Sequence, residues 1–257
     1  MTDPTSRLDA LRVSIRRLGT IVDALDDAAI LDSAYPADWS IAQVMSHLGS
    51  GAVILQRRLD DELAGTTTPE DFAPQTWDEW NARSARAQVD GGLAADAALL
   101  AALEGLSAEQ RDEFTFAMGP MSFDFDGFVG LRLNEHAFHT WDIDVSLDPQ
   151  ATVPAPIAGF VVDNLELIGR FTAQPTAGDP ATVTVRTTDP ERHFTMELSA
   201  EGATLTPSAP AVEAGDIELP AEAFARLLYG RLDPGHTPPL VGDPAVLDRL
   251  RATYPGP

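Results

Sequence analysis

The chain has 257 residues, enough for one large domain or two smaller ones around a real core. Its net charge of −23 repels phosphate backbones and anionic headgroups, which argues against nucleic acid or a membrane surface as partner. Cysteine and lysine are both absent, which excludes disulfides, a protein thiolate, cysteine-ligated metals and a lysine Schiff base.

The first part of the chain reads as helical. Leu8, Leu11, Ile15, Leu18, Val22 and Leu25 recur at three- and four-residue steps and predict an amphipathic helix over 7–28. The turn "YPADWS" follows, with Asp38 or Ser40 as N-cap. A second stripe runs through Ile41, Val44, Met45, Leu48, Ala52, Leu55 and Leu59. A third helix is expected from Thr76 to about Leu103, with a weak point at Gly91-Gly92, and then a Phe/Met/Gly loop. The fourth helix carries Phe128, Leu131, Leu133, Phe138, Trp141 and Ile143. Four helices joined by loops suggest a four-helix bundle over residues 1–148.

Composition changes at "DPQATVPAP", a turn-forming linker. One helix is expected over about 156–171. Period-2 alternation then marks "ATVTVRTT", "HFTMELSA" and "GATLTPSA" as strands. Two helices, "PAEAFARLLYGRL" and "PAVLDRLRATYPG", close the chain. Residues 149–257 are therefore expected to form a smaller α+β domain with an antiparallel sheet. No segment approaches the roughly 20 apolar residues of a membrane helix, and the N-terminal stretch lacks a secretory h-region, so a cytoplasmic location is expected. A monomer is the default expectation.

The chemistry concentrates in "NEHAFHTWDID". Glu135 and His139 stand four residues apart, on one helix face. Such a pair serves a salt bridge or a metal ion equally well. A third ligand would come from another helix, and "SIAQVMSHLGSGAVIL" supplies His47. His47 lies about 120° from the centre of its apolar stripe, at the stripe's edge, with Gly51 one turn on leaving space above it. On the fourth helix Phe128, Leu131, His139, Asp142 and Ser146 fall within about 40° of Glu135. That face turns from apolar to polar, which is expensive in a bundle unless the polar groups are satisfied. Asp142 would orient a histidine ligand or face substrate. Three N/O ligands without cysteine match a catalytic zinc site with an open position, though nickel, manganese or iron would accept them. His136 points about 100° away from Glu135 and reads as packing or surface. Arg83, Arg86, Arg226 and Arg231 are candidates for binding carboxylates of a thiol or an acidic substrate, against the plainer reading as surface ion-pair residues.

These residues bring a family into view. "DWSIAQVMSHL", "NEHAFHTWDID", "IELPAEAFARLLYGRL" and "VGDPAVLDRLRATYPG" resemble the mycothiol-dependent maleylpyruvate isomerase family of actinobacteria, within the DinB/YfiT-like group of metal-dependent thiol transferases. The resemblance spans nearly the whole chain. It implies a metal-binding N-terminal bundle followed by a C-terminal α+β domain. It implies zinc held by His47, Glu135 and His139, the positions that match the family's ligand motif. It also implies mycothiol as co-substrate, acting on a small electrophilic or unsaturated acid, in agreement with a chain that has no cysteine of its own. Two other readings stay open: a metal-dependent hydrolase, and a non-enzymatic metal-binding or stress-related protein.

Overall fold

The computed structural model describes residues 5–35, 38–175, 178–209 and 215–256. The chain divides into two compact units, Met1–Ala151 and Thr152–Pro257. Its class is a helical bundle followed by an α+β unit with a mixed sheet.

Four long helices build the first unit: α1 (Arg7–Val22), α2 (Ile41–Ala64), α4 (Ala85–Gly105) and α6 (Phe125–Leu147), with α3 (Phe72–Asn81) and α5 (Ala108–Glu113) between them. Helix α2 packs on α4, and α1 on α6. The core between them includes Leu18, Ile41, Met45, Leu48, Val89 and Ile143. Helix α1 stops at Val22 rather than running to residue 28: the backbone bonds tighten to three-residue steps at Ala24 and Leu25, and Asp26 then accepts hydrogen bonds from the Ala28 and Ala29 N–H groups of the next turn. Ser40 is the N-cap of α2 and forms a capping box with Gln43, while Pro36 and Ala37 of the preceding turn lie outside the described residues.

The third predicted helix is two helices. The break falls at residues 82–84, where Ser84 caps α4, and not at the glycine pair. Gly91 and Gly92 lie within α4 because that helix crosses α2 at close range. A Cβ on Gly92 would sit 2.9 Å from the Met45 carbonyl oxygen, and one on Gly49 would sit 2.9 Å from the Gly92 Cα. The Phe/Met/Gly loop is a hairpin of β1 (Phe116–Met118) and β2 (Met121–Phe123). Gly119, at φ 58°, takes the first position of its two-residue turn, a conformation glycine adopts without strain.

In the second unit the expected helix over 156–171 is a pair, α7 (Ala155–Val162) and α8 (Leu165–Thr172). Strands β3 (Ala181–Thr188), β4 (Arg192–Ser199) and β5 (Gly202–Pro207) form the expected meander. Two short strands that alternation is too brief to reveal, β6 (Ile217–Pro220) and β7 (Val241–Gly242), extend it to the order β5-β4-β3-β6-β7. Because β6 runs parallel to β3, the sheet is mixed rather than antiparallel. Helices α9 (Ala221–Leu228) and α10 (Pro244–Thr253) complete this unit. No described helix is long and apolar enough to cross a membrane.

A buried polar network ties the bundle together. Asp96 on α4 is fully buried, and its two carboxylate oxygens accept hydrogen bonds from Arg132 and His136 of α6. Arg132 also donates to the Leu48 carbonyl of α2 at 2.9 Å. The His136 Nδ1 faces the Ser14 hydroxyl of α1 at 2.8 Å and the Thr140 hydroxyl at 3.2 Å. Burial holds His136 below its ordinary pKa, so it is neutral at pH 7 and Arg132 carries the charge that balances Asp96. Burial pushes the Asp96 carboxyl up, but Arg132 and His136 outweigh it and hold the group below its ordinary value.

The stability that Asp96 contributes is therefore complete above its unfolded value of about 3.9 and is lost as pH falls through the lower folded value. Asp96→Ala strands a buried guanidinium and should destabilise the protein by about 3–5 kcal/mol in urea unfolding at pH 7. Glu104→Ala, which removes a solvent-washed partner of Arg12, should cost less than about 1 kcal/mol.

Candidate metal centre

The site is set where the polar half of α6 meets the first turns of α2. The capping box at Ser40 starts α2 and so determines which way His47, two turns later, faces. The His47 Nε2 lies 3.2 Å from Glu135 Oε2, and the His139 Nε2 lies 3.6 Å from the same oxygen. One ligand atom from each of the three residues lies within 4.8 Å of the other two. The two imidazoles meet edge to face, with centroids 4.6 Å apart. The fold thus brings together three residues separated by up to 92 positions in the chain (47 to 139).

Asp142, fully buried one turn beyond His139, places a carboxylate oxygen 2.8 Å from the His139 Nδ1. A proton on Nδ1 donates to Asp142 and leaves the Nε2 lone pair pointing at Glu135. A lone pair and a carboxylate oxygen then face each other, an arrangement that calls for a cation between them. Without a metal ion that cation is a proton. Burial pushes His139 down, but Asp142 and Glu135 outweigh it and raise its pKa above the ordinary value. Desolvation likewise pushes Glu135 up, and hydrogen bonds with His139 and His47 reverse this and hold it well below the usual carboxylate range. The donor set of two imidazoles and one carboxylate, with an outer carboxylate fixing one tautomer, fits a zinc-type ion with a coordination position left open.

His47 also lines a cleft of about 460 Å³, together with Trp39, Gln43, Ser50, Trp77, Asn81 and Gln88. Trp39 stacks over His139 at 6.2 Å, with an interplanar angle of 18°, and lies 5.3 Å from the His47 ring. His47 is the one ionisable group in this lining. The tryptophans and amides of the cleft escape a search for charged or metal-binding residues; the usable signal was Trp39 standing next to the cap of the helix that carries His47.

The remaining candidates are placed elsewhere. Gly51 does not leave empty space above His47: the Arg132 guanidinium fills it, 3.2 Å from where a Cβ would be. His136 is buried packing, as described. Arg83 pairs with Glu79 and lies 3.8 Å over the Trp80 ring, and Arg86 pairs with Asp27. In the second unit, Arg226 makes a buried two-pronged pair with Glu222 and also donates to the carbonyls of Arg231 and His236. Arg231 is buried and donates to the Tyr229 carbonyl.

Comparison with known proteins agrees with this architecture. Two crystal structures of mycothiol-dependent maleylpyruvate isomerase, one of them a histidine-to-alanine mutant, superpose with TM-scores of 0.61 and 0.62. In both cases the match covers 88% of each chain, at 16% and 15% identity respectively, so the likeness is one of fold. No curated protein matched the chain. The family model described as the mycothiol maleylpyruvate isomerase N-terminal domain matches residues 11–144, just over half of the sequence. The chain, with its bundle matched almost from end to end, belongs to the mycothiol maleylpyruvate isomerase N-terminal domain family.

Proposed function

We propose that the protein is a zinc-dependent isomerase or S-transferase that uses a low-molecular-weight thiol, mycothiol by family, on a small electrophilic or unsaturated acid. The observation that carries this reading is the convergence of His47, Glu135 and His139 beside a cleft that His47 itself lines, with Asp142 against the His139 Nδ1. These three residues would hold the ion. Bound there, zinc would supply stabilisation of a thiolate at neutral pH and polarisation of a carbonyl.

The residues of the chain do the rest. Asp142 keeps the His139 ring oriented, and Trp39 covers its face and limits water at that edge. Trp77, Asn81 and the amides of Gln43 and Gln88 offer flat apolar surface and neutral hydrogen-bonding groups. That lining suits the uncharged polar body of a thiol cofactor. Arg83 and Arg231 remain the proposed partners for carboxylates, although neither lines the cleft: Arg83 would have to leave Glu79, and Arg231 the Tyr229 carbonyl. A hydrolase would need a general base beside the cleft, and the lining provides only tryptophan, serine, amides and His47 itself.

Metal binding is checked by competition with a chelating dye. Asp142→Ala should weaken zinc by about 10–100-fold, and Ala at His47, Glu135 or His139 should weaken it further, while the helical circular dichroism is retained.

Turnover of an unsaturated acid should require added thiol. Its rate should rise with pH and level off below the ~8.5 of a free cysteine-type thiol, because only the thiolate reacts. Chelation should leave only the slow background of free thiolate. Trp77→Ala should raise KM for the thiol with little change in zinc content. Full turnover without thiol would refute the proposal and favour the hydrolase.

A further inference from the structure

The three ligand candidates sit on two helices, so their meeting depends on how α2 and α6 are held against each other. The contact between these helices contains one buried polar connection that reaches both the site and the interior. Arg132 stands three residues before Glu135 on α6, and its guanidinium donates to the carbonyl of Leu48, the residue after His47 on α2. The same NH2 group donates to Asp96 of α4. One turn along α6, His136, the direct neighbour of Glu135, bonds the other oxygen of Asp96. Both Arg132 and His136 are buried. The turn of α6 that presents Glu135 is thereby pinned on its inner side at two points, and one of those points also grips the backbone beside His47. Gly51 lies over the guanidinium, and a Cβ there would come within 3.2 Å of the Arg132 NH1. A side chain at that position would press on the clamp.

We propose that Arg132, held by Asp96, is a positioning residue for the metal centre: its NH2 group fixes the α2 backbone at the Leu48 carbonyl, next to His47, against the Glu135 turn of α6. Arg132 is neither one of the three candidate ligands nor a residue of the cleft lining, so it acts through His47 and Glu135. A hydrophobic contact alone lets packed helices slide by fractions of an ångström, and a site that must hold donor atoms to about 0.5 Å needs a directional support of this kind. The inference rests on the metal reading given above, and its test separates the two.

The discriminating variant is the double substitution Arg132→Met with Asp96→Leu. It removes the ion pair as a unit and leaves no unpaired buried charge, so it should fold. Leu103→Ala, a core truncation on the helix that carries Asp96, serves as the control for lost stability. Cobalt(II), read by its visible d–d absorption, is the probe. The double variant should bind cobalt about 10-fold more weakly than the parent and with an altered spectrum, whereas Leu103→Ala should match the parent in both. Arg132→Lys, which keeps the charge but not the planar fork, should fall between them and stands in if the double variant does not fold. Parent-like cobalt affinity and spectrum in the double variant would overturn the inference.

If the parent itself takes no cobalt, the metal reading falls. The ¹⁵N–¹H spectrum of the imidazoles in the metal-free protein then decides the positioning role. Under the inference, the His47 Nε2 resonance moves in the double variant toward that of a solvent-exposed ring as its contact with Glu135 is lost. An unchanged His47 resonance refutes it.

Discussion

A carboxylate sealed inside a helical bundle needs a cation sealed in with it, and the bundle of this protein is arranged around one such pair. Asp96 and Arg132 are both out of reach of water, so each is tolerable only while the other is in place. Apolar stripes bring α1, α2, α4 and α6 together but leave their rotation and axial register loosely specified. The network from Ser14 through His136 and Asp96 to Arg132 and the Leu48 carbonyl touches all four helices. Because its members have fixed donor and acceptor directions, it permits few alternatives to the observed arrangement.

Two histidines three residues apart on α6 show how neighbours, rather than residue type, assign a role. His136 and His139 each have a carboxylate on one nitrogen. The other nitrogen of His136 meets the hydroxyls of Ser14 and Thr140, and the ring is sealed and neutral. The other nitrogen of His139 faces Glu135, whose same oxygen meets the partly exposed His47 of the cleft lining. The linkage Ser14–His136–Asp96 has the order of a nucleophilic triad, yet its hydroxyl is buried on the inner face of α1, out of reach of a substrate. Burial separates a structural relay from a reactive one.

The second unit repeats the same economy. Its three principal strands turn Val183, Val185, Phe194, Met196, Leu198 and Leu205 inward. Arg226 and Glu222 form a buried pair inside α9, and the NH1 group of the arginine gathers the carbonyls of Arg231 and His236 in the loop that follows it. In a protein whose 40 acids far outnumber its 17 arginines, arginine is the scarce partner, and several arginines are spent on holding backbone in place. This explains why arginines that look available in the sequence, such as Arg226, are already engaged in the fold.

The sequence alone was sufficient for what depends on local periodicity and on chemical inventory. Three- and four-residue apolar steps identified α1, α2 and α6, strict alternation identified β3, β4 and β5, and the E-x-x-x-H spacing put Glu135 and His139 on one helix face. His47 was reached as a histidine at the edge of its apolar stripe on another helix, and family resemblance then matched it to a ligand position, since a ligand on another helix carries no sequence mark of its target. Short elements stayed hidden: β6, β7 and the hairpin at Gly119 are too brief for a period to show. The glycine pair at 91–92 was misread because a glycine that weakens an isolated helix and one that admits a neighbouring helix look alike until the partner is seen. Only the tertiary structure could show that Gly51 makes room for Arg132, that Asp142 orients His139, and that Trp39 and Trp77 flank one cleft. Each of these is a contact between residues distant in sequence or a direction of a side chain, and both are set by packing.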